Sequence, residues 1–352
     1  CLAALVGGLV MVWRFEPAPV PPALPSAPPG SGTAPETGTG TGWRWPRLPA
    51  IAPTRTLHEL GLTYLRDPRL RMMLERYATY AGGAPRRTPA AYAVIAHLEA
   101  TMGGWQIDGG LRALADALAR RALACGATIE LGARVAEIRA VGGRVDSVGL
   151  LDGRRIPADA VISTADASST YNDLLRMGRG GPAARLRGAR ARRIGSSLAR
   201  RPRSLAGYVM LLGVRGRTPG VAAHNVLFGA RYDREFEAIF DQPARLPGDP
   251  TIYVSISSDP ASAPPGHEAW FVLVNVPRHD AGGEPDALDW GSRALVATMG
   301  ERTLSLLAAR GMPVRERLVL TRSRSPLDLQ NDAATPGGAI YGTAPHGALH
   351  AL

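Results

Sequence analysis

The chain has 352 residues, long enough for two domains and a sizeable core, and its hydrophobic content of 45% is that of a globular protein. Its formal net charge of +11 rests on arginine alone, since the sequence contains no lysine. Two cysteines, Cys1 and Cys125, have no CxxC spacing, which argues against a disulfide framework or a zinc site.

The chain begins CLAALVGGLVMVW, an uncharged run too short to span a bilayer as a helix and with no basic segment ahead of it. The expectation is a severed apolar piece of core over residues 1–16, at a truncated start. Residues 17–55 are rich in Pro, Gly and Thr and read as a flexible linker or disordered insertion. The GTGTG within them has no strand before it and no helix after it, so it fails as a phosphate loop.

Ordered structure is expected to resume near Thr56. DPRLRMMLERYATYAG places Leu70, Met73, Leu74 and Tyr77 at helical spacing and ends on Gly82 and Gly83. Thr88-Pro89 opens a second helix, running to about Ala100. A glycine pair, Gly109 and Gly110, precedes a third. In that helix Leu111, Leu114, Ala115, Leu118, Ala122 and Cys125 form one apolar face, which makes Cys125 a core residue, and Gly126 ends it. ATIEL, RVAEIRAV, RVDSVGLL and RRIP follow as strands, with hairpin turns at Gly142-Gly143 and Asp152-Gly153. AVIST lacks alternation, as in a strand buried on both faces of a parallel sheet.

From Arg176 to Arg203 there are ten arginines and no acidic residue. The plain reading is a solvated loop, and the alternative is contact with an anionic membrane surface. Nucleic acid is disfavoured, because no aromatic residue is interleaved to stack on bases. Beyond it, SLAGYVMLLGV, NVLFG, TIYVSIS and EAWFVLVNVP read as strands, and RYDREFEAIF and DALDWGSRALVATMGERTLSLLAAR as helices. Tyr208, Met210, Phe228, Tyr253, Trp270 and Phe271 are core residues or the lining of an apolar cavity. The fold class is α/β, or mixed α+β, with an inserted β-layer. GxGxxG, GxSxG, HExxH and a Walker loop are all absent, and the seven histidines are scattered, with His224 and His267 at strand edges. No catalytic residue or metal ligand is assigned. The reactive group of an enzyme built this way belongs to a cofactor.

The segments DPRLRMMLERYATYAGGAPRRTPA, HLEATMGGWQIDGGLRALADALARRALACGATIELGARVAEI, LLDGRRIPADAVISTADASSTYNDLL, HNVLFGARYDREFEAIF, IYVSISSDPASAPPGHEAWFVLVNVP and GGAIYGTAPHG occur in this order between Asp67 and Gly347. Together they resemble the bacterial phytoene desaturase family, amine-oxidase-like flavoproteins that act on carotenoids. The resemblance implies FAD as cofactor and an apolar polyene as substrate, with desaturation, isomerisation or oxygenation as the reaction. It implies a partial FAD-binding Rossmann-type domain with an inserted β-meander, plus an α/β substrate domain. The corresponding boundaries are a helical lid over 56–102, a return to the FAD domain over 103–166, a substrate domain over 167–330 and the start of a C-terminal FAD-binding segment over 331–352. It also places Gly109, Gly110, Val135, Ala165 and Asp166 near the cofactor, and the protein in the cytoplasm, peripheral to the inner face of the cell membrane. The alternative is a non-catalytic membrane-surface protein. The chain departs from the family in lacking a strand–GxGxxG–helix and in stopping shortly after GGAIYGTAPHG, so both flavin-holding ends are expected to be cut off.

Overall fold

The computed structural model describes residues 10–13 and 54–347, apart from positions 106, 179–180, 258, 260–261 and 281. The apolar segment and linker read over 1–55 lie outside the described residues, except for 10–13 and 54–55. Strand β1, Val10–Trp13, is followed by helix α1, Leu57–Tyr64, which begins in a capping box between Thr56 and Glu59. Helix α2, Pro68–Arg76, has Asp67 as its cap and proline in its first turn, and it tightens into a 3-10 turn over Tyr77–Ala81. A 3-10 turn at Ala90–Tyr92 leads into α3, Ala93–Met102, and α4 spans Gly110–Ala124.

The predicted meander is present. Strands β2 (Val135–Val141), β3 (Arg144–Leu150) and β4 (Arg155–Pro157) pair antiparallel and turn at the two glycine-containing dipeptides. ATIEL forms no strand; its residues are exposed and pair with no strand among the described residues. Strand β5, Ala160–Ser163, also departs from expectation. It pairs antiparallel with β1 rather than within a parallel sheet, and Ile162 is half exposed, because β1 is the one strand paired with β5 among the described residues.

A single helical turn, α5 (Ala167–Ser169), precedes β6 (Leu175–Met177), which runs parallel to β2 and completes a sheet of order β4-β3-β2-β6. The arginine-rich run is not a loop. Residues Pro182–Ala199 form helix α6, started by Pro182 and seated through Ala184, Gly188 and Gly195, whose small side chains let the helix sit close to its neighbours.

Five strands build the main sheet: β7 (Ala206–Arg215), β8 (His224–Leu227), β9 (Ile252–Ile256), β10 (His267–Val276) and β13 (Leu318–Arg324). They pair antiparallel throughout in the order β13-β7-β10-β9-β8. Helix α7 (Tyr232–Phe240) lies between β8 and β9, and the short parallel pair β11 (Arg278–His279) and β12 (Ala287–Leu288) follows β10. Helix α8 spans Arg293–Ala309 with Ser292 as cap; it starts later than the sequence pattern indicates, because Ala287-Leu288 belong to β12. Strand β13 and helix α9 (Pro326–Ala333) are not among the predicted elements.

Alternation sorts the sheet's side chains onto two faces. One carries Tyr208, Met210, Leu212, Val254, Trp270, Val272 and Val274 into a core with Met299, Leu304 and Leu307 of α8. Each large side chain fully buried there contributes about 1.5–3 kcal/mol. The polar tips inside this core are matched: Trp270 Nε1 donates to Glu268 Oε2 at 3.0 Å and Tyr208 Oη to the Val296 carbonyl at 3.2 Å. By contrast, α3 and α4 bury no residue. The predicted apolar face of α4 stands in solvent at Leu111, Leu114 and Leu118, and Cys125 is exposed rather than part of a core. The spacing is that of a packed helix, but no described element covers it.

Candidate functional site

The second face of the main sheet is open. Two rows of paired residues cross all five strands on it. One runs His224, Ser255, Phe271, Leu211, Arg322; the next runs Val226, Tyr253, Leu273, Val209, Arg324. At ~4.8 Å per strand, each row spans about 19 Å. Ser255 apart, the centres are hydrocarbon and aromatic, while His224, Arg322 and Arg324 stand on the edge strands. Tyr253 and Phe271 meet edge to face at 6.4 Å, and His224 stacks on Tyr253 with Nδ1 2.8 Å from the phenol oxygen.

Two other segments border this face. Gly207 leaves room for Ile340, since a Cβ there would lie 2.9 Å from both Ile340 and Leu273. Tyr77 and Tyr80, in the turn after α2, pack ring to ring at 5.3 Å, and Tyr80 is within electrostatic reach of Tyr253 and Tyr341. Burial, reinforced by Glu99, pushes the Tyr77 phenol up to about 12; burial likewise raises Tyr80 and Tyr341. These hydroxyls therefore stay neutral at physiological pH, which suits a surface for an uncharged ligand.

A polar cluster lies where β5, Arg203 and the C-terminal segment converge. Asp166 Oδ1 accepts from the backbone N–H groups of Ser168 (2.8 Å) and Ser169 (3.3 Å) and from the Ser168 hydroxyl. Arg203 Nη2 donates to Ser168 Oγ at 2.8 Å, and its Nη1 lies 3.6 Å from Asp166 Oδ1 with no hydrogen-bond partner among the described residues. Gly342 closes on the same carboxylate, for a Cβ on it would stand 3.0 Å from Asp166 Oδ2. Backbone bonds hold the approach: Ser204 N–H to the Gly342 carbonyl at 2.9 Å and Ala344 N–H to the Pro202 carbonyl at 2.8 Å.

Of the residues expected near a cofactor, Asp166 thus meets Arg203 and Gly342, and Ala165 precedes it directly in the chain. Val135 stands at the start of β2, paired with Leu150. Gly109 and Gly110 start α4, both at positive φ (79° and 72°), and a Cβ on Gly110 would touch nothing. Both positions favour glycine for its backbone freedom. No hydrogen bond or ion pair joins Gly109, Gly110 or Val135 to Asp166 among the described residues. Arg203, Gly342 and the His224–Tyr253 pair were not singled out by sequence. Arg203 is one arginine among ten in its run, and Gly342 follows Tyr341 in a short motif with no helix to mark it.

A cavity of about 900 Å³ shares Arg203 and Ser204 with the cluster and is lined also by Arg87, Arg200, Arg201 and Arg278. Its charged walls do not suit a hydrocarbon, and of the residues read as core or cavity lining, Tyr208, Met210 and Trp270 lie in the core. No group of three or more metal-ligating side chains occurs among the described residues.

Residues 52–199 match the flavin containing amine oxidoreductase family. Among curated proteins, the chain is 33% identical over 308 residues to a hydroxyneurosporene desaturase of Cereibacter sphaeroides, covering 86% of this chain and 57% of that one. It is 31% identical to a lycopene-forming phytoene desaturase of Paracoccus (85% and 57% covered) and 31% identical to a 4,4'-diapolycopene oxygenase of Methylomonas (79% and 53%). This chain is similar to carotenoid desaturases and oxygenases and, over residues 52–199, to the flavin containing amine oxidoreductases. It spans little more than half the length of these relatives. A putrescine oxidase variant of known structure overlaps 87% of the chain and 67% of its own, at 14% identity and a TM-score of 0.49.

FAD is the cofactor of the family. The described residues of this desaturase-like chain fit such a group in part. Asp166, the Arg203 Nη1 left without a hydrogen-bond partner among the described residues, and the close approach at Gly342 offer a polar wall. The sequence contains no GxGxxG to receive a pyrophosphate at a helix N-terminus.

Proposed function

We propose that the open sheet face holds a long apolar polyene, and that the chain supplies this surface to an FAD-dependent oxidoreductase that removes a hydride and a proton from the polyene. The observation that carries the reading is the pair of ladder rows, each about 19 Å long, apolar over Phe271 and Leu211 in one and over Val226, Tyr253, Leu273 and Val209 in the other, with the arginines held to the sheet edge. A hydrocarbon offers nothing polar to grip, so shape and apolar area must bind it, and the face provides both. Flavin, when bound, supplies the hydride acceptor. The relatives' names describe enzymes of hydroxylated and unhydroxylated polyenes alike, desaturases and oxygenases, which supports the substrate class and leaves the reaction within it open.

The test is a substitution at the centre of a row. Leu211 is 38% exposed on the open face, so a charge there does not enter the core. Leu211→Glu is expected to weaken binding of neurosporene in detergent micelles more than tenfold, read by quenching of tryptophan fluorescence, with the far-UV circular dichroism unchanged. Undiminished affinity in this variant would remove the face from substrate binding.

The reading extends to a membrane, where such substrates reside. No helix among the described residues is long and apolar enough to cross one. Helix α6 instead presents Arg185, Arg190, Arg192 and Arg193 to solvent, with Arg200 just past its end, and none of them forms an ion pair with a carboxylate among the described residues. An unneutralised cationic face of this kind suits anionic lipid on the cytoplasmic leaflet, at about 1 kcal/mol per basic residue. The chain is expected to sediment with vesicles containing phosphatidylglycerol, less so as salt rises, and Arg190→Glu with Arg193→Glu to cut that binding more than tenfold. Sedimentation indifferent to lipid charge and salt would overturn this contact.

A further inference from the structure

The edge of the open face carries a pair of side chains that an all-hydrocarbon ligand does not need. His224 and Tyr253 sit on β8 and β9, stacked at an interplanar angle of 13° with ring centroids 6.1 Å apart, and Nδ1 meets the phenol oxygen at 2.8 Å. The stacking and the hydrogen bond fix both rings. Tyr253 in turn touches Phe271, the aromatic centre of the neighbouring row. A ligand lying along the rows therefore passes from Leu211 over Phe271 and ends at this pair.

The hydrogen-bonding capacity left over is specific. If the phenol donates to Nδ1, Nε2–H remains as an outward donor and the phenol oxygen as an acceptor. If Nδ1–H donates to the phenol oxygen, Nε2 becomes the acceptor and the phenol O–H the donor. Either tautomer offers a third group one donor and one acceptor, with no net charge. A hydroxyl is the simplest group that uses both. Arg322, at the opposite end of the same row, offers donors only and a full positive charge, which matches an anion and not an alcohol.

We propose that the His224–Tyr253 pair recognises a terminal hydroxyl on the polyene, so that the preferred ligand is a hydroxyl-capped acyclic polyene rather than the bare hydrocarbon. This rests on the assignment of the open face to a polyene. His224 is a specificity residue, and it takes no part in moving hydride or proton. Its exposure on an edge strand lets it be replaced without opening the core.

The experiment compares hydroxyneurosporene with neurosporene, which lacks the hydroxyl, in detergent micelles with the intact chain. The chain is expected to bind the hydroxylated compound about five- to tenfold more tightly, the worth of one net hydrogen bond. His224→Phe keeps a stacked ring and should equalise the two, lowering affinity for hydroxyneurosporene while leaving that for neurosporene where it was. His224→Gln, which retains a donor and an acceptor, should recover part of the preference. Equal affinities in the unaltered chain, or a preference that survives in His224→Phe, overturns the hydroxyl site and leaves the polyene face standing. Binding of neither compound overturns both.

Discussion

Replacing Glu235 by leucine is expected to cost about 3–5 kcal/mol of folding stability, read as a lower urea midpoint at unchanged slope. Glu235 is among the most deeply buried side chains of the molecule, at the inner side of α7. Its carboxylate accepts from Arg76 Nη1 at 3.2 Å, from Asn275 Nδ2 at 3.0 Å and from the Thr251 backbone N–H at 2.8 Å. These three partners come from the end of α2, from β10 and from the residue before β9, so one carboxylate ties the N-terminal helices to the main sheet. Burial works against the Arg76 charge, but Glu235 and Tyr232 beside it more than offset that and hold its pKa above the ordinary range. Leucine would leave the guanidinium, an amide and a backbone N–H without an acceptor, in a place water does not reach. Arg76→Met in the same chain removes the stranded charge, so the double variant should be more stable than Glu235→Leu alone. A loss below about 1 kcal/mol in the single variant would show that the two parts do not depend on this junction.

Gly338→Ala is expected to cost about 3 kcal/mol, and its effect should reach the polar cluster at Asp166. Gly338 has φ of 63°, and an added Cβ would stand 2.7 Å from the Pro326 carbonyl carbon and 2.8 Å from its Cα, all rigid backbone. The left-handed conformation alone costs an alanine about 1–2 kcal/mol, and the overlap adds a similar amount. The chain just beyond it is bonded residue by residue to the start of β7, through Ile340 N–H to the Leu205 carbonyl and Ser204 N–H to the Gly342 carbonyl. A displacement at Gly338 therefore pulls Gly342 away from the Asp166 carboxylate. Gly347→Ala separates the two causes, because Gly347 has φ of 91° but open space where the Cβ would go. It should show the backbone cost without the overlap. Equal losses in the two variants would remove Pro326 from the account.

Sequence reasoning reached the meander and four of the five strands of the main sheet, for a simple physical reason. Glycine-containing turns and alternating apolar residues are local signals, and neither depends on what lies across the molecule. Strand β13 was missed because LVLTRSR has a short apolar stretch followed by charges, as edge strands do. The arginine run reads as a loop by charge, but Ala184, Gly188, Ala191 and Gly195 recur at helical spacing within it, and that periodicity was hidden by the charge around it. The reverse error occurred at Cys125, where helical spacing was sound and burial did not follow, since packing depends on a partner that spacing cannot supply. Of the candidate site, Asp166 was reached through the family resemblance alone, and its cap on the following helical turn is visible only in the structure. Its partners were not reached, because Arg203 and Gly342 meet it only through the fold. The His224–Tyr253 pair was invisible for the same reason: it is made by register between two strands separated by the whole of α7.

The order of the five strands also governs how the sheet can assemble in time. Strands β8, β9 and β10 follow one another along the chain and pair as neighbours, so they can close as soon as they are made. Strand β7, synthesised first, finds its two partners in β10 and in β13, and β13 lies beyond α8. Such distant pairing is slow, because chain entropy is lost before the contact is gained. Until β13 arrives, one edge of β7 offers unpaired backbone beside Leu211 and Leu212, and a nascent chain exposes there the strip most able to capture another chain.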